Sequence, residues 1–244
     1  MKKRLFLIAV PIVLILVYIL NIKLNNTGVN YPINIGDFNV IGSTSIEPET
    51  ILSSLDHGDK NIFNLKPGLP EETIFVKSIE WTQADFLKIS SALFRVVWND
   101  SINDWIIYRM EFWTTCKNNP KGLSSSELYF YQENFGDKGK QYSVRDILIE
   151  PEYGYAAWGG ETFYPRSFFK WKGIDLSNIT LPAENALTKA EARGGTESRL
   201  SAENKCNIIV SMYPDRDTQY GWSIYYSAGY EAIQGPSRFW IPAK

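Results

Sequence analysis

The chain has 244 residues, with 25 Lys and Arg against 27 Asp and Glu and a formal net charge of −2. Four of the basic residues and none of the acidic ones lie in residues 1–24, so the remainder holds 21 basic against 27 acidic residues, about −6. Nucleic acids and anionic lipids are bound by clustered Lys and Arg, so this balance argues against a nucleic-acid-binding protein. The 8 Trp, 14 Tyr and 13 Phe favour a well-packed, strand-containing domain over a disordered chain.

An apolar run without charge follows a basic N-terminus. Residues 5–20 contain no charged side chain, and the next four extend the run to the roughly 20 residues that cross a bilayer as a helix. Residues 5–24 are therefore predicted to be a transmembrane anchor. The positive-inside rule places residues 1–4 in the cytoplasm and the C-terminal domain outside, which describes a single-pass protein of the cell membrane. The alternative is a cleaved secretory signal, which the long apolar run and the lack of a small-residue cleavage site disfavour.

A first α+β unit is predicted over residues 71–150. Residues 25–70, rich in Asn, Gly, Ser and Pro, are predicted to be a linker followed by irregular or short-strand structure. The helix of the first unit begins after Thr82, because Asp85 three residues on completes the pattern of a capping box. It is predicted to end at Asn99 and Asp100.

Three strands are predicted after this helix, over residues 105–113, 128–132 and 144–149. In the first strand, alternation predicts that Arg109 and Glu111 share one face. The other face is predicted to carry four apolar side chains: Ile106, Tyr108, Met110 and Phe112.

The same order of elements recurs about 100 residues later, over residues 179–244. A second helix is predicted from Pro182 to a stop at Gly194 and Gly195. Three further strands are predicted around Cys206–Met212, Trp222–Ser227 and Phe239–Ile241. We therefore predict an α+β protein with antiparallel sheets each packed by a helix, as two repeated αβββ units. A single larger α+β domain is the alternative.

This order of elements is similar to that of cystatin-like folds and of PepSY-type exported domains, in which a helix crosses a curved antiparallel sheet. The resemblance lies in element order alone and rests on no motif. It implies a regulatory or inhibitory module as one alternative function, by analogy of fold.

The segment over residues 151–178 connects the two predicted units and is unusually aromatic. Flat aromatic faces stack on sugar rings and apolar ligands. The predicted ligand-binding residues are Tyr155, Trp158, Tyr164 and Trp171. The alternative is that these rings fill the seam between the two units, since aromatic side chains dominate packing generally.

The two cysteines, Cys116 and Cys206, leave two alternatives open. In an oxidising compartment they would form one disulfide closing a loop of about 90 residues. Otherwise they are two separate buried thiols, because sequence alone does not show that they meet.

No catalytic residue, metal site or cofactor is predicted. His57 is the only histidine, which rules out a zinc site of the three-His type and makes any Ser-His-Asp triad depend on it alone. Its neighbours are typical of an exposed turn. Asp215 and Asp217 are interpreted as part of a polar turn rather than a calcium site.

These observations favour a membrane-anchored extracytoplasmic domain that binds a protein, peptide or glycan without catalysis. The alternative is a hydrolase of envelope polymers that uses paired carboxylates, which requires two close acids, one with a raised pKa. A binding domain is expected to expose aromatic rings around Trp158 and Trp171. A hydrolase is expected to have a cleft lined by carboxylates.

Overall fold

A computed structural model describes residues 40–59, 62–116, 120–136, 139–163, 173–213, 220–228 and 237–244. These residues form an α+β structure with one nine-stranded antiparallel sheet and a few helices. The predicted anchor lies outside the described residues. Among the helices that the structure does describe, none is both long and apolar enough to cross a membrane.

The nine strands follow one another in the sheet in the order β2-β1-β6-β5-β4-β3-β7-β8-β9. Their bounds are β1 Val40–Ser45, β2 Leu65–Pro67, β3 Ile106–Thr115, β4 Ser125–Gly136, β5 Gly139–Glu150, β6 Tyr155–Phe163, β7 Asn207–Met212, β8 Gly221–Ser227 and β9 Arg238–Pro242. The helices are α1 Ile51–Asp56, α2 Gln83–Trp98, α3 Ala183–Ala190 and α4 Thr196–Ser201. Strands β1, β2 and β6 lie in stretches predicted as linker or connecting segment, where alternation is weak.

Helix α2 begins as its sequence predicts. The Thr82 side chain accepts a hydrogen bond from the Asp85 amide, and the Asp85 carboxylate accepts one from the Thr82 amide. This capping box satisfies two amides that the first turn leaves without helical partners. The helix ends at Asn99, in the left-handed conformation with φ 50°. Its buried apolar side packs on the sheet through Phe86, Ile89, Leu93 and Phe94.

The predicted helix stop at Gly194 and Gly195 is confirmed, because the first helical run is broken by a kink at Gly194 and a second helix, α4, follows it. Gly194 takes a φ of 116°, which favours glycine. A Cβ at Gly195 would lie 2.2 Å from the Tyr226 hydroxyl oxygen, so glycine lets the β8 tyrosine approach the helix. That hydroxyl donates to Glu191 at 2.6 Å, and Arg199 also donates to Glu191 at 3.2 Å. A buried polar network therefore holds the bend.

The β3–β7 pair is the centre of six neighbouring strands, with β4 and β5 on one side and β8 and β9 on the other, and β6, β1 and β2 extend the sheet beyond β5. The N-termini of α2 and α3 meet above it. The Ala183 amide donates to Gln83 at 3.0 Å, and the Gln83 amide donates to Glu184 at 3.1 Å. At one end of this pair, Cys116 and Cys206 form a disulfide with a Cα–Cα distance of 5.1 Å. Of the two alternatives for the cysteines, the structure therefore contains the disulfide rather than two separate thiols.

The two faces of the sheet differ in chemistry. The face covered by the helices holds the apolar core, which includes Phe112, Phe130 and Trp222. The opposite face, called the outer face below, carries polar and aromatic side chains. Because side chains alternate along a strand and directly paired residues share a face, strand register identifies its members. They include Glu111, Glu127, Asp146, Ser223 and Trp240.

Candidate functional site on the outer face

The predicted ligand-binding residues are not brought together where the structure describes them. Tyr155 and Trp158 are three residues apart on β6, so they point to opposite faces of the sheet. Trp158 is 5% exposed and lies in the apolar core against Gly42, so this ring forms no exposed aromatic patch. Tyr155 is half-buried on the outer face. Tyr164 and Trp171 lie outside the described residues.

A β-bulge in β3 shapes the middle of the outer face. Ile107 pairs with Phe130 and Arg109 with the adjacent Tyr129, so Tyr108 is an extra residue on β3. A bulge places two successive side chains on one side of a strand. Tyr108 accordingly lies beside Tyr129, with 5.8 Å between ring centroids. The predicted placement of Tyr108 on the apolar face is therefore wrong, because strict alternation breaks at the bulge.

A charged cluster, consisting of Arg109, Glu111, Glu127, Tyr129 and Asp146, lies next to this bulge. The Arg109 Nη2 atom is 2.5 Å from a Glu111 carboxylate oxygen. The Arg109 Cζ atom lies 4.8 Å from the Tyr129 ring centroid and 5.1 Å from that of Tyr213. The Tyr213 hydroxyl also donates a hydrogen bond to Glu111. The guanidinium is thus held between two aromatic rings while it pairs with a carboxylate.

The carboxylates of the charged cluster outnumber its cation. Glu111 lies directly opposite Glu127, and Tyr129 lies directly opposite Asp146, so acids from three adjacent strands share one face. Asp146 is 3% exposed, and its Oδ1 atom has no hydrogen-bond partner among the described residues. With all groups ionised, three carboxylates would face one guanidinium. Such a surplus of buried negative charge is costly unless some carboxylates hold protons.

The surroundings favour protonated carboxyl groups. Burial raises the pKa of Asp146 well above its usual range, and the charge of Glu127 raises it further. Burial also raises the pKa of Glu127, although a hydrogen bond from Tyr129 and the charge of Arg109 oppose this shift. At the edge of the same face, burial and the charges of neighbouring glutamates raise the pKa of Glu150 to about 7.

A second group on the outer face, the aromatic platform, consists of Ser223, Tyr225, Arg238 and Trp240. Ser223 lies opposite Trp240 and Tyr225 opposite Arg238 on strands β8 and β9. Tyr225 is 38% and Trp240 is 49% exposed. A Cβ at Gly221 would lie 2.3 Å from the Trp240 indole, so glycine lets that ring rest on the strand. The Arg238 Cζ atom lies 5.5 Å from the Tyr225 ring centroid.

The platform and the charged cluster belong to one row across the sheet. Trp240, Ser223, Ser211 and Glu111 are successive partners on β9, β8, β7 and β3. Three strand spacings separate the ends of this row, which is about 14 Å. The row therefore joins an exposed aromatic surface to buried carboxylates through two serines.

A separate open groove of about 910 Å³ lies at the start of β3. Its lining is mostly apolar and includes Leu87, Ile102, Trp105, Ile106 and Ile174. The outer-face row offers aromatic, charged and hydroxyl groups together, so it is the stronger candidate for specific recognition.

Sequence reasoning missed both groups on the outer face. The sequence pattern indicates the platform, because Tyr225 and Trp240 each alternate with core residues along a short strand. For the charged cluster, alternation predicts only that Arg109 and Glu111 share a face, because the other members come from two further strands.

The chain matches no protein family model, and a search of curated proteins finds no significant match. Among the residues that the structure describes, no three His, Cys, Asp or Glu side chains are grouped to hold a metal ion.

Proposed function

We propose that the protein is a membrane-anchored extracytoplasmic domain that binds a glycan on the aromatic platform. The observation that carries this proposal is the exposure of Tyr225 and Trp240 on one face of two paired strands. The apolar C–H face of a sugar ring stacks on an aromatic ring, while its hydroxyl groups need hydrogen-bond partners. Ser223 and Arg238 lie between and beside the two rings and offer such partners.

The charge of the site narrows the class of glycan. The row from Trp240 leads to Glu111 and its neighbouring carboxylates, and the chain after residue 24 carries about −6 in total. The net negative charge of the chain disfavours an acidic glycan, although Arg238 on the platform is itself a cation, and it does not disfavour a neutral or amino-substituted glycan. We therefore propose a neutral or amino-sugar oligosaccharide as the ligand.

The proposed location rests on two features of the chain. Residues 5–24 have the length and apolarity of a membrane-spanning helix, preceded by three basic residues. The Cys116–Cys206 bond is of a kind that persists in oxidising compartments outside the cytoplasm. A glycan-binding domain tethered there would act at the outer surface of the membrane.

We also propose that the two αβββ groups are a duplication. In support, α2 and α3 begin 100 residues apart, and the strands after each helix run outward from the β3–β7 pair. Gln83 and Ala183, one at the start of each helix, bond to each other at that centre. The cystatin-like or PepSY-like regulatory alternative keeps only its support from element order.

Calorimetric titration of the full chain in nanodiscs tests the proposed function. The probes are neutral glucan oligosaccharides and amino-sugar oligosaccharides of two to six rings. We expect Trp240→Ala and Tyr225→Ala each to weaken binding at least tenfold, because each removes a stacking ring. Phe135→Ala is the matched control, since Phe135 is 88% exposed and lies outside the platform. Absence of binding by the wild type, or equal binding by Trp240→Ala, would refute the proposal.

A hydrolase that uses the charged cluster is the second candidate. Glu111 and Glu127 face each other on adjacent strands, and burial raises the pKa of Glu127 and of Asp146. Acid–base glycosidases use a pair of carboxyl groups with different pKa values as their catalytic residues. The burial of Glu111 and Asp146 favours binding over catalysis, because a substrate must reach the reacting acids. Release of reducing ends by the wild type, abolished in Glu127→Gln, would instead support the enzyme.

A further inference from the structure

An apolar ridge, consisting of Ile74, Phe75, Val76 and Tyr153, stands on the surface away from the aromatic platform. Its three consecutive residues before α2 are 58–71% exposed. Tyr153 is 44% exposed, and its ring meets that of Phe75 edge to face at 6.5 Å between centroids. Large exposed apolar groups that contact one another mark interaction surfaces more often than scattered single ones do.

The ridge is fixed in place by the segment behind it. The Val76 amide donates to the Glu152 carbonyl at 2.7 Å, and a Ser78 hydroxyl donates to the Glu152 side chain at 3.4 Å. Val76 also lies close to Gly154, where an added Cβ would be 3.1 Å from its side chain. A partner would therefore meet side chains that are already positioned, which lowers the entropy lost on binding.

Acidic side chains surround the ridge. Glu71, Glu72 and Glu80 are exposed on the same segment, and Glu152 lies beneath Val76. The one lysine of the segment, Lys77, pairs with Glu49 at 2.6 Å. The apolar surface therefore has a negative rim with its nearby cation already paired.

We propose that the ridge docks a polypeptide that presents apolar side chains flanked by Lys or Arg. Charge complementarity selects this occupant. An anionic lipid surface would be repelled by the acidic rim, and a second copy of the chain would bring two acidic rims together. Docking buries the exposed apolar area while the partner's cations meet Glu71 and Glu72.

The test uses three synthetic 12-residue peptides and the full chain in phosphatidylcholine nanodiscs, with empty nanodiscs subtracted. One peptide combines Leu with Lys, the second combines Leu with Glu, and the third combines Ser with Lys. We expect the Leu–Lys peptide to bind at least tenfold tighter than either other peptide, as measured by fluorescence anisotropy. We expect Phe75→Ser and Ile74→Ser each to weaken that binding about tenfold.

A separate double variant tests the contribution of the acidic rim to binding. The double variant Glu71→Gln and Glu72→Gln is expected to weaken binding about threefold and to remove most of its salt dependence. Phe135→Ser is the matched control and leaves binding unchanged. Glycan binding by the platform is unaffected by Phe75→Ser, so this proposal and the proposed function fail separately.

Several results would overturn the docking proposal. These are no binding of the Leu–Lys peptide, equal binding of the Leu–Glu peptide, or binding that Phe75→Ser leaves unchanged. Phe75-dependent binding to phosphatidylglycerol vesicles would show a membrane surface instead. Phe75-dependent dimers in sedimentation would show that the occupant is a second copy.

Discussion

On the outer face of the sheet, strands β3 to β5 bury charged groups, whereas strands β8 and β9 expose aromatic ones. Arg109 and Asp146 are almost inaccessible, while Trp240 is half exposed. Both regions obey the same alternation, and both lie opposite the same apolar core. The inaccessible region therefore carries charged side chains and the accessible region carries aromatic ones, which is the opposite of what hydration favours.

This reversal costs stability in both regions. Buried charges lose their hydration, and exposed aromatic rings keep apolar surface in contact with water. Stability alone would favour polar groups at positions 225 and 240 and apolar ones at positions 109 and 146. Positions that carry a buried charged group or an exposed aromatic ring at a cost in stability are positions where function is expected. One row of paired residues, from Trp240 through Ser223 and Ser211 to Glu111, connects the two regions of the candidate site.

The largest expected effect is on the charged cluster. Arg109→Met leaves Glu111 buried without its cation, so we expect the free energy of unfolding at pH 7.5 to fall by about 3–5 kcal/mol. Urea unfolding of the variant and of wild type measures this difference. Arg238→Met, an exposed arginine of the platform, is the control and should cost less than about 1 kcal/mol.

The disulfide between Cys116 and Cys206 cross-links the end of β3 to the start of β7. The double variant Cys116→Ser and Cys206→Ser removes a cross-link with a sequence separation of 90 residues. We expect a fall of about 4 kcal/mol in the free energy of unfolding by the chain-entropy model. Thermal unfolding checks this, and wild type in reductant should match the variant. An unchanged midpoint of thermal unfolding would mean that strand pairing alone holds β3 and β7 together.

Asp146 provides a pH test of the buried region. Its pKa is raised in the folded state, so the folded protein retains a proton that the unfolded chain loses above about pH 4. Wild-type stability therefore falls as pH rises from that point, and Asp146→Asn removes this fall. We expect the variant to be more stable than wild type at pH 7.5 and equal to it near pH 3. Glu161→Gln, at an exposed position on the neighbouring β6, is the control; a parallel pH profile for Asp146→Asn and wild type would contradict the burial of this charge.

The smallest effect on stability is expected at the platform. Trp240→Ala should lower the free energy of unfolding by less than about 1 kcal/mol, because half of the ring is already in water. Trp222→Ala, on the opposite face of the neighbouring strand β8, should cost about 3–5 kcal/mol because that ring is fully buried. Equal losses in guanidinium unfolding would place Trp240 in the core.

Local signals in the sequence predicted much of the fold. Thr82 and Asp85 marked the start of α2 because a capping box is made within four residues. Strands β3, β4, β5, β7, β8 and β9 were predicted within a few residues, because one side of each packs on the helices. Gly194 and Gly195 predicted the end of the first helical run, because Gly194 takes a non-helical φ of 116° and Gly195 lets Tyr226 approach the helix.

The site was harder to predict than the fold because it depends on register between distant segments. The pairings that bring Glu111, Glu127 and Asp146 onto one face depend on the order and register of three strands. The many aromatic residues around Trp158 led to the prediction of a ligand-binding site on β6, but strand alternation places the Trp158 ring in the core. Composition shows that the chain is rich in aromatic residues, but strand alternation and register are needed to show that Trp158 lies in the core and Trp240 on the outer face.

The most direct test of the proposed site is NMR of the tryptophan indole N–H groups as glycan is added. Each signal is assigned by substituting one tryptophan at a time in the full chain. If glycan binds the platform, the Trp240 signal shifts with saturation, while those of Trp158 and Trp222 on the helix face stay in place. A shift at Trp158 or Trp222 with Trp240 unchanged would contradict a binding site on the outer face.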